Sequence, residues 1–357
     1  MRSTTDEAAV ASASASRRPP GRRASSRARI GAWFVVAAAA LVLSIVASLM
    51  VGANGLSGRA VIETLWGAGT GETQFVVWQQ RLPRTVLGIA VGIGLGGAGA
   101  LMQALTRNPL ADPGILGVNA GAAAAVALGV VFFGVSQVGQ YVWFAYAGAL
   151  VLTIVVYLLG SSGRGRASPV KLTLAGLAAG AVLSGITTGL TLTNPDAFDR
   201  LLGWSAGSLL GRSLDVLVPS GMFLVVGVLL AVIVSPALNA VALGDDTAQG
   251  QGVNLTRTRL MTLTAITLLA GTATAIAGPI SFVGLMVPHV VRWGVGVDHR
   301  RIVAWSMVVA PVLVLLSDIT GRVLVLPAEM PVGIVTAFVG APVLIVLVKR
   351  RRGVTGL

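Results

Sequence analysis

The sequence contains no cysteine and only two histidines among 357 residues. Disulfides, thiolate metal sites and cysteine nucleophiles are therefore excluded, and His289 and His299 are too few to build a histidine-based metal cluster. Charge is scarce too. Asp, Glu, Lys and Arg together make up 11% of the chain, against about 25% in a typical soluble domain, so the polar side chains needed to cover a surface in water are missing. Lysine occurs only at Lys171 and Lys349, and neither follows a glycine. Without a Walker A loop, the chain cannot be a P-loop ATPase by itself.

What is abundant is apolar. Hydrophobic residues make up 55%, and the mean hydropathy is +0.85. At about 20 residues per crossing, ten crossings use roughly 200 residues and leave the rest for tails and loops. The expectation is an all-α polytopic membrane protein with about ten transmembrane helices. The apolar segments fall near 31–51, 84–105, 114–133, 141–160, 170–192, 216–235, 258–277, 280–293, 302–321 and 332–348. Residues 1–29, rich in Arg, Ser, Ala and Pro, read as a disordered basic cytoplasmic tail. Residues 30–352 form a single membrane domain and 353–357 a short C-terminal tail. The 280–293 segment is short and holds Pro288 and His289. It reads as a tilted or broken helix lodged within protein, because lipid does not tolerate irregular backbone.

The formal charge of +13 raises the question of a nucleic-acid partner, but its distribution answers against one. Seven arginines lie in the first 29 residues, and Lys349, Arg350, Arg351 and Arg352 form a run near the end. Both clusters flank apolar segments, as expected of chain ends held against membrane lipid on the cytoplasmic side. With ten crossings and the N-terminus inside, the inside set is those two clusters, Arg107, Arg164, Arg166, Lys171, Arg257, Arg259, Arg292, Arg300 and Arg301. The outside set is Arg59, Arg81, Arg84, Arg200, Arg212 and Arg322. That is 20 against six, which favours a multi-pass protein of the cytoplasmic membrane with both termini cytoplasmic. Deleting one crossing moves the downstream clusters to the wrong side.

Local patterns add detail. Gly88, Gly92 and Gly96 share a four-residue spacing in the second segment, a smoothness that suits either close helix packing or a helix lining a translocation path. Arg81-Leu-Pro-Arg84 precedes that segment, and Gln103 lies near its end. The run Arg107-Asn108-Pro109-Leu-Ala-Asp112-Pro113 makes a compact inside turn, since neither proline donates a backbone hydrogen bond. Asp112 is placed to cap the helix that follows.

Together with later runs, these motifs resemble the FecCD-type permeases, membrane subunits of bacterial ATP-binding-cassette importers for iron–siderophores, haem and vitamin B12. The later runs are Trp204-x-x-Gly207-Ser-Leu, Gly244-Asp-Asp-Thr-Ala248-x-x-x-Gly252, Ala277-Gly-Pro-Ile-Ser-Phe-Val-Gly-Leu-Met-Val-Pro-His289, Asp298-His-Arg300, Glu329-Met-Pro-Val-Gly333 and Gly340-Ala-Pro342. Each is weak alone; their order over residues 56–352 is specific. The resemblance implies the type II importer permease fold and a transport subunit with no catalytic residues, metal site or bound cofactor. Two copies, or one copy and a close paralogue, would enclose a path for a ferric siderophore, with haem or cobalamin as alternatives. Two cytoplasmic ATP-binding subunits would consume ATP with Mg, and an extracytoplasmic solute-binding protein would deliver the cargo. The competing class is an autonomous secondary transporter or channel, which would want a buried ion relay.

Two groups of residues follow from this. The segment 244–259, with Gly244, Asp245, Asp246, Thr247, Ala248 and Gly252, fits two short helices separated by glycines. It is either a solvated connector or, as the resemblance implies, the coupling element pressed against the ATPase. Asp245 and Gln251 stand where the family commonly has Glu and Leu. Outside, Arg81, Arg84 and Arg322 offer planar forks suited to carboxylates. The resemblance implies that they receive acidic residues of the binding protein; snorkelling at helix ends is the alternative.

Other polar positions read as structural. The stretch 193–215 reads as an amphipathic outer helix with Trp204 as an interface anchor. Asp318 lies deep in an apolar run, where a carboxylate needs a partner, and Arg322 four residues later supplies an intrahelical one. His289 reads as a hydrogen-bonded core residue. Glu329, between Pro327 and Pro331, reads as part of the turn leading into the last helix.

Overall fold

The computed structural model describes residues 21–53, 55–161 and 169–352, and the regular structure among them is entirely helical. Helix α1 (Gly21–Met50) is followed by α2 (Gly58–Leu65), capped by Ser57, whose Oγ accepts from the Ala60 N–H at 3.3 Å. A continuous helical run comes next: α3 (Gly71–Phe75), a π segment (Val76–Arg81) and α4 (Leu82–Thr106). The widened turn sits just before Pro83, which lacks an N–H and would crowd the preceding turn of a regular helix. Arg107 ends α4 in the left-handed conformation, with φ of 51°.

A 3-10 turn (Pro113–Leu116) leads into α5 (Val118–Phe133), bounded on both sides by left-handed glycines, Gly117 and Gly134. Then follow α6 (Val138–Ser161), α7 (Pro169–Thr193) and α8 (Pro195–Ser205). A 3-10 turn (Leu214–Val216) precedes α9 (Leu217–Ala242), and the short α10 (Asp245–Gly250) joins it to α11 (Leu255–Ala277). The chain ends with α12 (Val283–Val295), α13 (His299–Leu324) and α14 (Val332–Arg352).

The molecule is a multi-pass helical bundle, but the expectation of ten spanning helices is met only in part. Among the described residues, seven helices are long and apolar enough to cross a membrane: Gly31–Met50, Gly71–Thr106, Gly139–Ser161, Val170–Thr193, Leu214–Ala242, Leu255–Ala277 and His299–Leu324. Two of the other three expected segments are shorter helices, Val118–Phe133 and Val283–Val295, and in α14 the apolar stretch is Val332–Val346, ahead of its basic end. Sixteen residues in α5 rise about 24 Å at 1.5 Å per residue, short of a hydrocarbon core of roughly 30 Å. In α12 the cause is local. Gly278 and Phe282 both take positive φ, so the chain from 278 to 282 is irregular before the helix starts, and Val283 to Pro288 are then buried in protein. This matches the broken, protein-lodged segment read from Pro288 and His289.

The tail boundary also differs. Residues 21–29 continue α1 instead of belonging to a disordered tail, while 1–20, Arg164, Arg166 and 353–357 lie outside the described residues.

The core is built around α4, which is buried along nearly its whole length against α13, α11, α12 and α9. Its glycines make this possible. A Cβ at Gly88 would come within 2.8 Å of Leu315, one at Gly92 would overlap the Pro311 backbone, and one at Gly96 the Ser306 carbonyl. All three partners lie on α13, so the four-residue glycine spacing is a helix-packing seam. Gln103 is buried as well, its Nε2 donating to the Leu285 carbonyl at 2.9 Å and so tying α4 to the start of α12.

Candidate functional site

At the expected inner face, Gly244 with φ of 119° turns the chain out of α9 and Gly252 with φ of 80° turns it back. Only one short helix, α10, lies between them. Arg257 and Arg259 belong to the first turns of α11, which is capped by Asn254 Oδ1 accepting the Arg257 N–H at 3.0 Å. The expected pair of short helices is thus a single one. Ala248 anchors it, fully buried against Ala240, Val241, Val253 and Leu255, whereas Asp246, Thr247 and Gln249 are exposed.

Asp245 links this segment to the rest of the molecule. One of its carboxylate oxygens is ion-paired with Arg107, and the other with Arg259 at 2.6 Å. The partial burial of Asp245 pushes its pKa up, but the hydrogen bond from Arg107 and the charges of Arg259 and Arg107 outweigh this and hold it below the usual carboxylate range. The inside turn and the 244–259 segment, separate features in the sequence, are therefore one unit at the end of α4.

Within that turn, Asn108 Oδ1 accepts the Leu110 N–H at 3.0 Å, with Pro109 between them. Asp112 Oδ1 accepts the Gly114 N–H at 2.8 Å, so it caps the 3-10 turn that begins at Pro113, one element before the helix it was expected to cap. Sequence reasoning missed a second link nearby. Asn239, near the end of α9, donates to Asp298 at 2.8 Å and accepts the His299 N–H at 2.8 Å, fastening α9 to the start of α13. Nothing at Asn239 distinguishes it in sequence from any other helical asparagine.

The opposite end holds a buried charge cluster. Arg84 meets Asp318 through Nη2 at 2.8 Å and through Nε at 2.9 Å, and reaches Glu329 at 2.5 Å. Arg322 forms the expected intrahelical pair with Asp318, at 2.5 Å. Its remaining donors go to the Ser48 and Val51 carbonyls at 2.6 and 3.0 Å. Arg81 donates to the Leu49 and Met50 carbonyls at 2.9 and 2.8 Å. These carbonyls belong to the last turn of α1 and the residue after it, where a helix leaves acceptors unsatisfied and favours cations.

Arg81, Arg84 and Arg322, expected as exposed forks, therefore do not stand as such, nor do they snorkel outward. All three are buried, Arg322 to 2% exposure, and fasten α1, α4 and α13 together. Glu329 is a member of the cluster and more than a turn residue. Nevertheless Arg81, Arg84, Arg322 and Glu329 line one cavity of about 190 Å³, together with Gln79, Gln80 and Arg212.

One further expectation changes. Trp204 is a core residue, 2% exposed, and not an interface anchor. The run Gly203-Trp-Ser205-Ala-Gly207 has the spacing of a hydrolase nucleophile elbow, but Ser205 ends a helix and its hydroxyl donates to the Leu202 carbonyl at 3.1 Å. No strand leads into it, so it is no elbow. The tip of α8 instead borders an apolar cleft of about 630 Å³, lined by Ser205, Pro279, Phe282, Ile334, Phe338 and Ile345 among others.

The FecCD transport family model matches residues 40–350. The chain belongs to that family. Among curated relatives, the ferric enterobactin transport system permease protein FepD of Escherichia coli (strain K12) is 49% identical over 311 residues, 87% of this chain and 93% of FepD. The Fe(3+)-citrate import system permease protein YfmD of Bacillus subtilis (strain 168) is 37% identical, covering 93% of this chain and 97% of its own. The hemin transport system permease protein HmuU of Yersinia pestis is 35% identical, covering 87% and 93%. A solved inward-facing metal-chelate type ABC transporter superposes with a TM-score of 0.77 at 28% identity, covering 88% of this chain and 98% of that one. The family member described here is a non-catalytic transport subunit with the importer permease fold.

Proposed function

We propose that this permease carries a ferric siderophore across the cytoplasmic membrane as one half of a two-fold, type II ATP-binding-cassette importer. The observation that carries the reading is the ordered family match over 40–350, strongest among the quoted relatives toward a ferric enterobactin permease. Haem is the second reading, favoured by the likeness to a hemin permease at lower identity. In the proposed topology α5, α12 and α14 also cross, both termini are cytoplasmic, and α10 faces the cytoplasm.

Two separate ATP-binding subunits, using ATP with Mg, press on the exposed side of α10 around Asp246 and Thr247. Its displacement reaches α4 through Arg107–Asp245 and α11 through Arg259. A second copy or a close paralogue sits against α7 and α14. In support, α7 exposes Ser184, Gly185, Thr188 and Gly189, small and polar residues that gain little from lipid tails. A binding protein docks outside, an acidic side chain entering the cavity that Arg81, Arg84 and Arg322 line.

The test is reconstitution in proteoliposomes with the ATPase and binding protein encoded beside this permease, scanning ferric enterobactin, haem and cobalamin. ATP-dependent accumulation of the ferric siderophore is expected. Uptake without either partner would overturn the importer reading in favour of an autonomous transporter.

A further inference from the structure

Four of the sequence motifs have no part in either charge cluster, yet they meet at one place in the fold. They are Trp204-x-x-Gly207 at the tip of α8, Ala277-Gly-Pro-Ile-Ser-Phe282 after α11, Gly333 at the start of α14 and Gly340-Ala-Pro342 within it. In the first three, backbone lies directly on backbone. A Cβ on Gly278 would overlap the Trp204 carbonyl, one on Gly207 the Pro279 carbonyl and one on Gly333 the Ala206 carbonyl. Two hydrogen bonds cross the same contact: the Ser208 N–H donates to the Ala277 carbonyl at 2.7 Å, and the Gly333 N–H to the Gly207 carbonyl at 2.9 Å. No side-chain rotamer is available there to absorb sliding. The start of α14 is therefore fixed to the end of the core helix α11, and Val332, Val335 and Thr336 are buried beside it.

Further along, α14 changes character. Pro342 lies inside the helix and offers no N–H to the carbonyl one turn back, which weakens the helix at that level. Pro342, Ile345 and Val346 are exposed. Against the same turn stands Phe282, with φ of 70° and ψ of −25°, a backbone conformation that a bulky residue rarely holds. Its side chain lies against Gly340, where any Cβ would overlap it. A strained residue thus touches a weakened helical turn, and strain of this kind persists where the surrounding structure imposes it. Residues of the fixed junction (Ala206, Pro279, Gly333) and of this turn (Phe282, Pro342) together line the apolar cleft of about 630 Å³.

We propose that α14 is a hinged arm: its first two turns are clamped at the Gly207–Gly278–Gly333 junction, and its remainder swings about Gly340–Pro342, with Phe282 as the stop that sets the width of the cleft. The hinge follows from these contacts alone. Its use in moving cargo rests on the function proposed above.

Hydrogen exchange of the full chain in lipid nanodiscs, read by peptide mass spectrometry, tests the hinge. Amides just after Pro342 are expected to exchange several-fold faster than those of 332–337 in the same helix. P342A should restore the missing N–H and slow them several-fold, leaving 332–337 and α13 unchanged. F282G keeps a backbone that glycine holds without strain but removes the stop, so exchange after Gly340 should rise several-fold with the melting temperature kept. Uniform exchange along α14, or P342A without effect, overturns the hinge. F282G without effect overturns Phe282 as its stop.

The second arm is ATP-driven uptake in proteoliposomes with the ATPase and binding protein encoded beside the permease. A several-fold loss of uptake in P342A, with its melting temperature at or above that of wild type, supports a swing that transport requires. Uptake at the wild-type rate overturns that role while leaving the hinge to the exchange data. If wild type itself shows no ATP-dependent uptake, the importer reading fails and the transport role fails with it, whereas the exchange arm still decides the hinge.

Discussion

The two charged clusters use the same residue types and behave as opposites. At the end proposed to face outward, Asp318 is fully buried between Arg84 and Arg322. At the end proposed to face the cytoplasm, the inner one, Asp245 sits between Arg107 and Arg259 with a third of its side chain open to solvent. A buried ion cluster is costly to assemble and more costly to break in part, because the surviving charge has no water to turn to. A half-exposed one is replaced by water at little cost. The outer cluster therefore fixes geometry, holding the end of α1 to α4 and α13. The inner one suits a contact that a partner must load and release.

Asp318→Ala is the sharpest way to break this contrast. It leaves two guanidinium groups buried without their shared carboxylate and should destabilise the fold by about 3–5 kcal/mol, read as a fall in melting temperature in nanodiscs. A loss no greater than that of an inner-cluster variant would mean that the outer cluster is hydrated and that burial does not separate the two ends. Next in size, Gly99→Ala tests what holds the bundle between the clusters. A Cβ there would overlap the Gly284 carbonyl, and overpacking of this kind costs about 1–3 kcal/mol. An unchanged melting temperature would show that α4 and α12 slide apart freely, against the close approach of Gly99 to Gly284.

How much of this was legible beforehand depends on sequence distance. Asp318 and Arg322 are one helical turn apart, so their pairing follows from spacing and from the cost of a lone carboxylate in an apolar run. Arg84 joins them across 234 residues, and no local pattern reveals that. Asp245 was visible as an acidic residue in a glycine-bounded connector, but its tie to Arg107 required the fold to bring two loops together. Trp204 misled for a related reason: an aromatic residue in an amphipathic outer helix reads as an anchor until its buried face is known. Hydropathy located all ten helical segments. It overstated α5, whose ends are set by Gly117 and Gly134, and it started α12 too early, because Gly278 and Phe282 break the chain before Val283.

For the inner cluster, stability and function should part company. Asp245→Asn removes both ion pairs yet should cost only about 0.2–1 kcal/mol, as expected of partly exposed pairs. ATP-driven uptake in proteoliposomes should nonetheless fall several-fold while ATP hydrolysis continues, if α10 drives α4 through Arg107. Uptake at wild-type rates would reduce the Arg107–Asp245 contact to a passive loop tie.

The smallest effect is the pH dependence of that same contact. Because its two arginines hold Asp245 below the usual carboxylate range, the folded chain binds a proton there less readily than the unfolded chain, whose Asp titrates near about 3.9. The stabilisation is therefore fully present above that value and is lost as pH falls through the lower folded value. Between about pH 6 and 8 both states are ionised, so the small difference in melting temperature between wild type and Asp245→Asn should stay flat and begin to shrink only below about pH 4. A difference that already varies between pH 6 and 8 would mean that another group titrates against Asp245. The inner cluster would then be pH-responsive in its own right.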